Sequence, residues 1–405
     1  LLLAGAGATS CATEPSPLAV EPIRSPTGAD AAEPFVGRGP DGSMTLSWLE
    51  RNADSSVTLK LATLAADGAT WSTPTDVVRR TDLFVNWADF PSTTQLPDGT
   101  LWAHNLVKSA KGTYAYDVVL YRSGDGGKTW STPIRVNDDG TQTEHGFASL
   151  WPWSKNELAI AWLDGRNTGG GSHDAHAGHG EASGRMMTLR AAVYDGKGRK
   201  TAEWPLDAST CDCCQTDAAV TANGPVIIYR DRNPQEIRDI YVTRYVDGRW
   251  QTPKPVAADQ WRIPACPVNG PALAAYGPSL WAAWYTGSDN TPKIRLAYSG
   301  NSGDAFLPVR TIRTGPAVLG RVDLAADAGG AWLLWSEESA GQTLWLKRFG
   351  KNTRNDGAPI LLARLKGRGH GTGFTRMQQT AQGLYVVWTD IIDGKPTLNG
   401  MHLSP

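Results

Sequence analysis

No internal run of the 405-residue chain is long and apolar enough to span a bilayer as a helix. An excess of either charge is also missing: 39 Lys and Arg face 40 Asp and Glu, for a net charge of -1. Such a balance leaves nothing to hold nucleic acid phosphates or an anionic lipid surface, so no nucleic acid partner is expected. Methionine and phenylalanine are scarce, at 5 and 7 residues, whereas Trp occurs 17 times and Gly 44 times. With 40% hydrophobic and 20% charged residues, this composition suits many short strands, tight turns and flat side chains between packed sheets. The length exceeds that of a usual single core, but repeat folds grow past this limit because each unit packs mainly on its neighbours.

The first residues read as a processing signal. Leu1 to Ser10 is apolar and small, and Thr13 to Ala32 is rich in Pro, Ala, Ser and Glu, with little to bury. Ala8-Thr9-Ser10-Cys11 resembles the tail of a bacterial lipoprotein signal peptide, with Cys11 as the lipidated residue and Ala8 where that family usually has Leu. The resemblance implies export to the periplasm or cell surface, with membrane contact only through a lipid anchor. A plain secretory signal with an incidental Cys11 implies export as well. Residues 1–32 are accordingly read as signal remnant and linker, and 33–405 as one domain.

A single unit recurs along that domain: a short turn, then an apolar strand ending in an aromatic. Pro40-Asp41-Gly42 leads to Trp48, Pro97-Asp98-Gly99 to Trp102, Lys155-Asn156 to Trp162 and Asn223-Gly224 to Tyr229. The remaining copies run from Tyr276-Gly277 to Trp284, Gly329-Gly330 to Trp335 and Gln382-Gly383 to Trp388. A strand of small residues precedes each turn, an alternating strand follows each aromatic, and a fourth strand follows in all copies but the last. At a spacing of about fifty to seventy residues, this predicts an all-β propeller of four-stranded antiparallel blades, with seven blades the first count and six the alternative. The last copy stops after three strands, so the segment Leu18 to Ile23 is expected to supply the missing outer strand and close the ring.

One turn carries a known signature. Ser123-Gly124-Asp125-Gly126-Gly127-Lys128-Thr129-Trp130 resembles the Asp-box, or BNR repeat, of sialidases and related propellers, with weaker echoes at Asp67 to Trp71 and Ser299 to Asp304. Asp and Ser can bond turn amides and glycine tolerates positive φ, so the box is structural rather than catalytic. It sits between third and fourth strands and therefore marks the back. Loops between blades, and between second and third strands, share the opposite front face.

Most reactive residue types fall on that front. Cys211, Cys213, Cys214 and Cys266 stand at the starts of adjacent inner strands, which places them together at the channel mouth. Disulfides, one joining the trio to Cys266, and a thiolate metal site both fit an exported protein. His173, His176 and His179, in a Gly-rich insertion ending at Met186-Met187, add a possible soft-metal set favouring copper, with His145 and His370 as further partners; a hydrophilic insertion that binds nothing is the plain alternative. An acid two residues after the strand-two aromatic recurs as Glu50, Asp164, Asp231, Glu337 and Asp390, and repetition argues for a turn-capping role. Asp164 with Arg166, and Asp231 with Arg232, also face the ligand side.

The sialidase resemblance implies an arginine triad, a Tyr-Glu nucleophile pair and an Asp acid. Arg38, Arg232, Arg321 and Arg376, with Glu144, Asp164, and Tyr114 or Tyr116, are the candidates, since the arginine fork bonds a carboxylate twice. The family's Arg-Ile-Pro lies in its first blade, whereas here it occurs at Arg262-Ile263-Pro264. Two functions follow. The first is an exported, monomeric, non-hydrolytic binding propeller whose Cys- and His-rich mouth takes a metal such as copper, a small molecule or a glycan. The second is an exo-acting glycoside hydrolase.

Overall fold

Each expected turn reverses the chain between two hydrogen-bonded antiparallel strands. In the computed structural model, which describes residues 18–169, 186–353 and 356–404, these strands assemble into seven sheets. Blade one holds Ala31–Arg38, Met44–Arg51, Val57–Leu64 and Thr75–Arg80; blade two holds Ser92–Gln95, Leu101–Lys108, Tyr116–Ser123 and Ile134–Arg135. Blade three holds His145–Pro152, Leu158–Asp164, Met187–Tyr194 and Lys200–Thr210. Blade four holds Asp217–Thr221, Gly224–Arg230, Ile240–Val246 and the short Lys254–Pro255, with Arg249–Trp250 folded back on its third strand. Blade five holds Ala272–Tyr276, Ser279–Thr286, Lys293–Ser299 and Arg310–Thr314; blade six holds Val318–Asp327, Gly330–Glu338, Gln342–Gly350 and Ile360–Arg364.

Blade seven joins the two ends of the chain. Arg376–Thr380, Gly383–Ile392 and Lys395–Ser404 are completed by Ala19–Pro22, which pairs antiparallel with the last strand from Ala19 opposite Ser404 to Pro22 opposite Met401. The N-terminal segment thus occupies the outer edge that would otherwise be left unpaired. Each innermost strand contacts the next around the circle, and that of blade seven contacts that of blade one. The ring is closed.

The hydrophobic core is divided accordingly. Buried apolar residues form seven clusters, each between two neighbouring blades. Trp48, Trp102, Trp162, Trp284, Trp335 and Tyr229, all strand-two aromatics, are almost completely buried in these layers. A flat ring fills a slot between two twisted sheets, so truncating one of them to Ala is worth about 3–5 kcal/mol.

Several of the acids after these aromatics serve the same slots. Trp48 Nε1 donates to Glu50 at 2.8 Å, Trp162 Nε1 to Asp164 at 2.8 Å and Trp335 Nε1 to Glu337 at 2.9 Å. Each carboxylate satisfies a buried indole, a reason different from turn capping. The Asp-box folds as its chemistry requires. Asp125 accepts from Lys128 N and Thr129 N at 3.0 Å each, and Ser123 Oγ accepts from Gly127 N at 2.9 Å. Gly127 has φ +84° and packs on Leu61 and Leu101. The echo at Ser299 repeats the pattern with Asn301 in place of the Asp.

Candidate metal centre at the channel mouth

The inner strands of blades one, three and six begin with a bulge, where Glu33, Phe147 and Arg321 take left-handed φ of +51°, +53° and +53°. Loops from several blades converge at these strand starts.

Two of those loops bring the cysteines together. Cys211, Cys213 and Cys214 connect blade three to blade four, and Cys266 lies just before blade five. Cys211 Sγ is 3.4 Å from Cys214 Sγ and 4.0 Å from Cys213 Sγ, and the three sulfurs lie within 4.8 Å of one another. Cys266 adjoins Cys213. All four are free thiols, so the bridge weighed between the trio and Cys266 is not the arrangement found. Cys211 and Cys214 are buried, Cys213 half-buried and Cys266 exposed.

Arginines support this group from below. Arg238, fully buried, donates to Cys211 Sγ at 3.3 Å and to Glu236 at 2.8 Å. Arg230 is held by the carbonyls of Arg238, Asn269 and Tyr285 at 2.7 to 2.8 Å and lies over the Trp261 ring. Arg232 bonds Glu236 at 2.6 Å and Asp212 at 3.1 Å. Gln215 ties the loop to blades two and five, donating to Ala88 O at 2.6 Å and accepting from Gly270 N at 2.8 Å.

The electrostatics of the thiols are uneven. Burial pushes Cys211 up to about 11. Burial also opposes ionisation of Cys214, but the Cys211 and Cys213 thiols donate toward it and Arg230 lies near, and the balance leaves it well below the ordinary thiol value.

Carboxyl groups face the cysteines. Tyr116 Oη donates to Glu144 at 2.7 Å and lies 3.4 Å from Asp89, which accepts from Phe147 N at 2.8 Å. Gly146 is required there, because a Cβ would stand 2.0 Å from Asp89 Oδ2. Burial lifts Asp89 to about 7. Burial, with Asp212, Asp89 and Cys266 adding to it against the Tyr116 hydrogen bond, holds Glu144 well above the carboxylate range. Tyr114, half-buried, is raised by burial and then by Glu144, Cys266 and Cys213. Residues far apart in sequence, at 114, 144, 212 and 266, thus meet at one mouth.

The histidines do not join the sulfurs. His145 is buried in a separate group, with Nε2 3.1 Å from Asp139 and Nδ1 3.2 Å from Tyr116 O. Asp139, His145 and Asp164 have the spacing of metal ligands. A guanidinium already neutralises them: Arg166 bonds both oxygens of Asp164 at 2.7 and 2.8 Å and approaches Asp139 at 3.5 Å. His370 is exposed and stacks on Trp87 at 4.4 Å. Among the described residues no imidazole belongs to the cysteine group. His173, His176, His179 and Cys11 lie outside the described residues.

The candidate ligand arginines have separate partners. Arg321 is buried, donates to Thr372 Oγ1, Gly373 O and Gly369 O at 2.8 to 2.9 Å, and lies 4.9 Å over Trp87; burial lowers it to about 10. Arg376 lies over Phe35 and Phe90, 3.5 Å from Asp323. Arg38 ends an inner strand on the back. Asp231 is lifted to about 7 by burial and then by Asp207. Sequence reasoning missed Arg238, Asp89 and Asp139; the run Arg230, Arg232, Arg238 around the hairpin facing the cysteines was the available signal for the first.

Fold and site together define a seven-bladed β-propeller with a sulfur-lined mouth. Residues 48–320 match the BNR repeat-like domain, and the chain belongs to that family, as its sialidase-like Asp-box implied. Among solved structures it is similar to a protein of unknown function from Dyadobacter fermentans DSM 18053, at 15% identity and TM-score 0.52, covering 95% of this chain and 99% of that one. It is also similar to a polysaccharide lyase of family PL25, an ulvan lyase, at 12% identity and TM-score 0.51, covering 79% of each chain. At these identities the likeness is one of fold. No curated protein matches the sequence.

Proposed function

We propose that this protein is an exported, cell-envelope binding propeller, non-hydrolytic and monomeric, whose channel-mouth cysteines bind a soft cation such as copper. The observation that carries the reading is the sulfur triangle. A metal–sulfur bond of about 2.3 Å sets sulfurs around a trigonal ion about 4 Å apart; two sides here are 3.4 and 4.0 Å, and all three are within 4.8 Å. Thiolates select Cu(I) over hard cations. Buried arginines offset the negative charge that thiolate ligands carry. Export, with Cys11 as a lipid anchor, is part of the same proposal and rests on the N-terminal sequence.

Titration of reduced protein with Cu(I) in competition with bicinchoninate tests the site. Cys211→Ser/Cys213→Ser/Cys214→Ser is expected to weaken binding by about a hundredfold or more, beyond the loss typical of outer-shell changes. Equal binding by the variant rules the cysteines out.

One observation favours the glycoside hydrolase reading, the 2.7 Å bond between Tyr116 and Glu144. Against it, Tyr116 is 1% exposed, stacked on Phe84 at 4.0 Å, with burial raising its phenol well above 10. A nucleophile needs an open approach and an accessible anion. Turnover of a fluorogenic sialoside, lost in Arg376→Ala, overturns the binding reading.

A further inference from the structure

We propose that the thiols act in sequence as a transfer path: exposed Cys266 captures a monovalent soft cation, and Cys213 passes it to buried Cys211 and Cys214. The path presupposes the soft-cation site proposed above and adds the order in which its ligands engage.

Burial falls in steps along the chain of contacts. Cys211 and Cys214 are 0% and 1% exposed, Cys213 is half-buried and Cys266 is exposed. The three sulfurs of the trio form one compact group to which Cys266 does not belong. Cys213 is the shared member, within 4.8 Å of the buried pair and adjoining Cys266. An ion stripped of water at once and moved into a low-dielectric interior meets a large desolvation cost. Exchange of water for sulfur one ligand at a time avoids it.

The buried end attracts a cation once dehydrated. Arg238 donates to Cys211 at 3.3 Å, a contact that stabilises a thiolate there as the sulfur–metal bond forms. The steps balance without redox chemistry. At the surface, Cys266 S–H releases its proton to water as the sulfur–metal bond forms. Cys213 S–H then bonds the metal in place of a bound water and releases its proton to water. On the inward step the Cys266–metal bond breaks as Cys211 and Cys214 bond the metal; each of these two releases its thiol proton to water, and Cys266 takes one up. The cation keeps its single charge throughout.

Two measurements on the reduced protein test the path. In the first, Cu(I) is delivered as its bicinchoninate complex and uptake is followed by stopped-flow absorbance and by equilibrium competition. Cys266→Ser is expected to slow uptake on the order of tenfold while leaving affinity within about twofold, whereas Cys211→Ser lowers affinity by about a hundredfold. An unchanged uptake rate in Cys266→Ser, or a loss of affinity equal to that of Cys211→Ser, overturns the path. In the second, iodoacetamide alkylation read by mass spectrometry is expected to modify Cys266 in the copper-loaded protein while sparing the trio; protection of Cys266 in that state also overturns it. Wild-type protein that takes up no Cu(I) at equilibrium refutes the site itself, a result distinct from binding without ordered transfer.

Discussion

The Asp-box turn of blade two and the cysteine mouth at blade four are both built from small polar groups in loops, yet they are held in opposite ways. Asp125 finds its partners at Ser123, Lys128 and Thr129, within four residues. Cys211 finds its at Arg238, and Gln215 in the same loop reaches Ala88, 127 residues away. The back turn is held by partners local in sequence; the front is held by partners from distant blades. Electrostatics follow the same division. Hydrogen bonds donated by the hydroxyl and the amide of Thr129 and by the Ser123 hydroxyl hold Asp125 far below the usual carboxylate range, whereas burial lifts Asp89 and Glu144 above it.

The sharpest way to break this comparison is to remove the mouth's buried acid. Asp89 rises from 3.8 to about 7 on folding. The folded state therefore binds the proton more tightly, and the associated stability is present below about pH 4 and lost as pH rises to about 7. Asp89→Asn keeps an acceptor for Phe147 N and cannot ionise. The fall in stability between pH 4.5 and 7.5 is expected to shrink, by up to about 3 kcal/mol, in urea unfolding at those two pH values. An unchanged pH dependence contradicts a burial-dominated front.

Arg321→Ala is expected to cost about 3 kcal/mol in urea unfolding, since three acceptors, two of them in buried bonds, lose their donor at once. A negligible cost makes the front contacts no more consequential than a surface turn. Asp125→Ala should give the smallest effect: a modest drop in melting temperature that fades as pH falls toward the acid range, where Asp125 is protonated in the wild type too. Cu(I) affinity is expected to stay unchanged, because the turn lies on the other face. A weakened copper site there would show that back and front are coupled through the blade.

Much of the ring was legible from short-range pattern. Val57–Leu64 and Met187–Tyr194 fall where alternation placed them, and Leu18 to Ile23 contains the closing strand. The fourth strand of blade five starts later than its apolar residues suggest: the stretch Phe306 to Val309 bonds the third strand through Leu307 N to Tyr298 O at 2.8 Å, and the ladder forms at Arg310–Thr314. Pro308 lacks an N–H and cannot donate to a ladder, so apolar character alone does not locate the paired residues. At the mouth, the convergence of Cys211 to Cys214 with Cys266 was legible from blade order alone. The partners of His145 were not, because Asp139 and Arg166 reach it through side-chain directions that no spacing encodes.

Sequence by itself determined the blades and the ring's closure, because strand, turn and indole slot are local structures that repeat; the structure decided for seven blades over six. It also determined which residues face front. Only the tertiary structure decided which of them touch, which histidines are already committed to carboxylates or stacked on Trp87, and which thiols are sealed from water. Those outcomes depend on distances across the channel, and such distances exist only once the seven sheets stand in one circle.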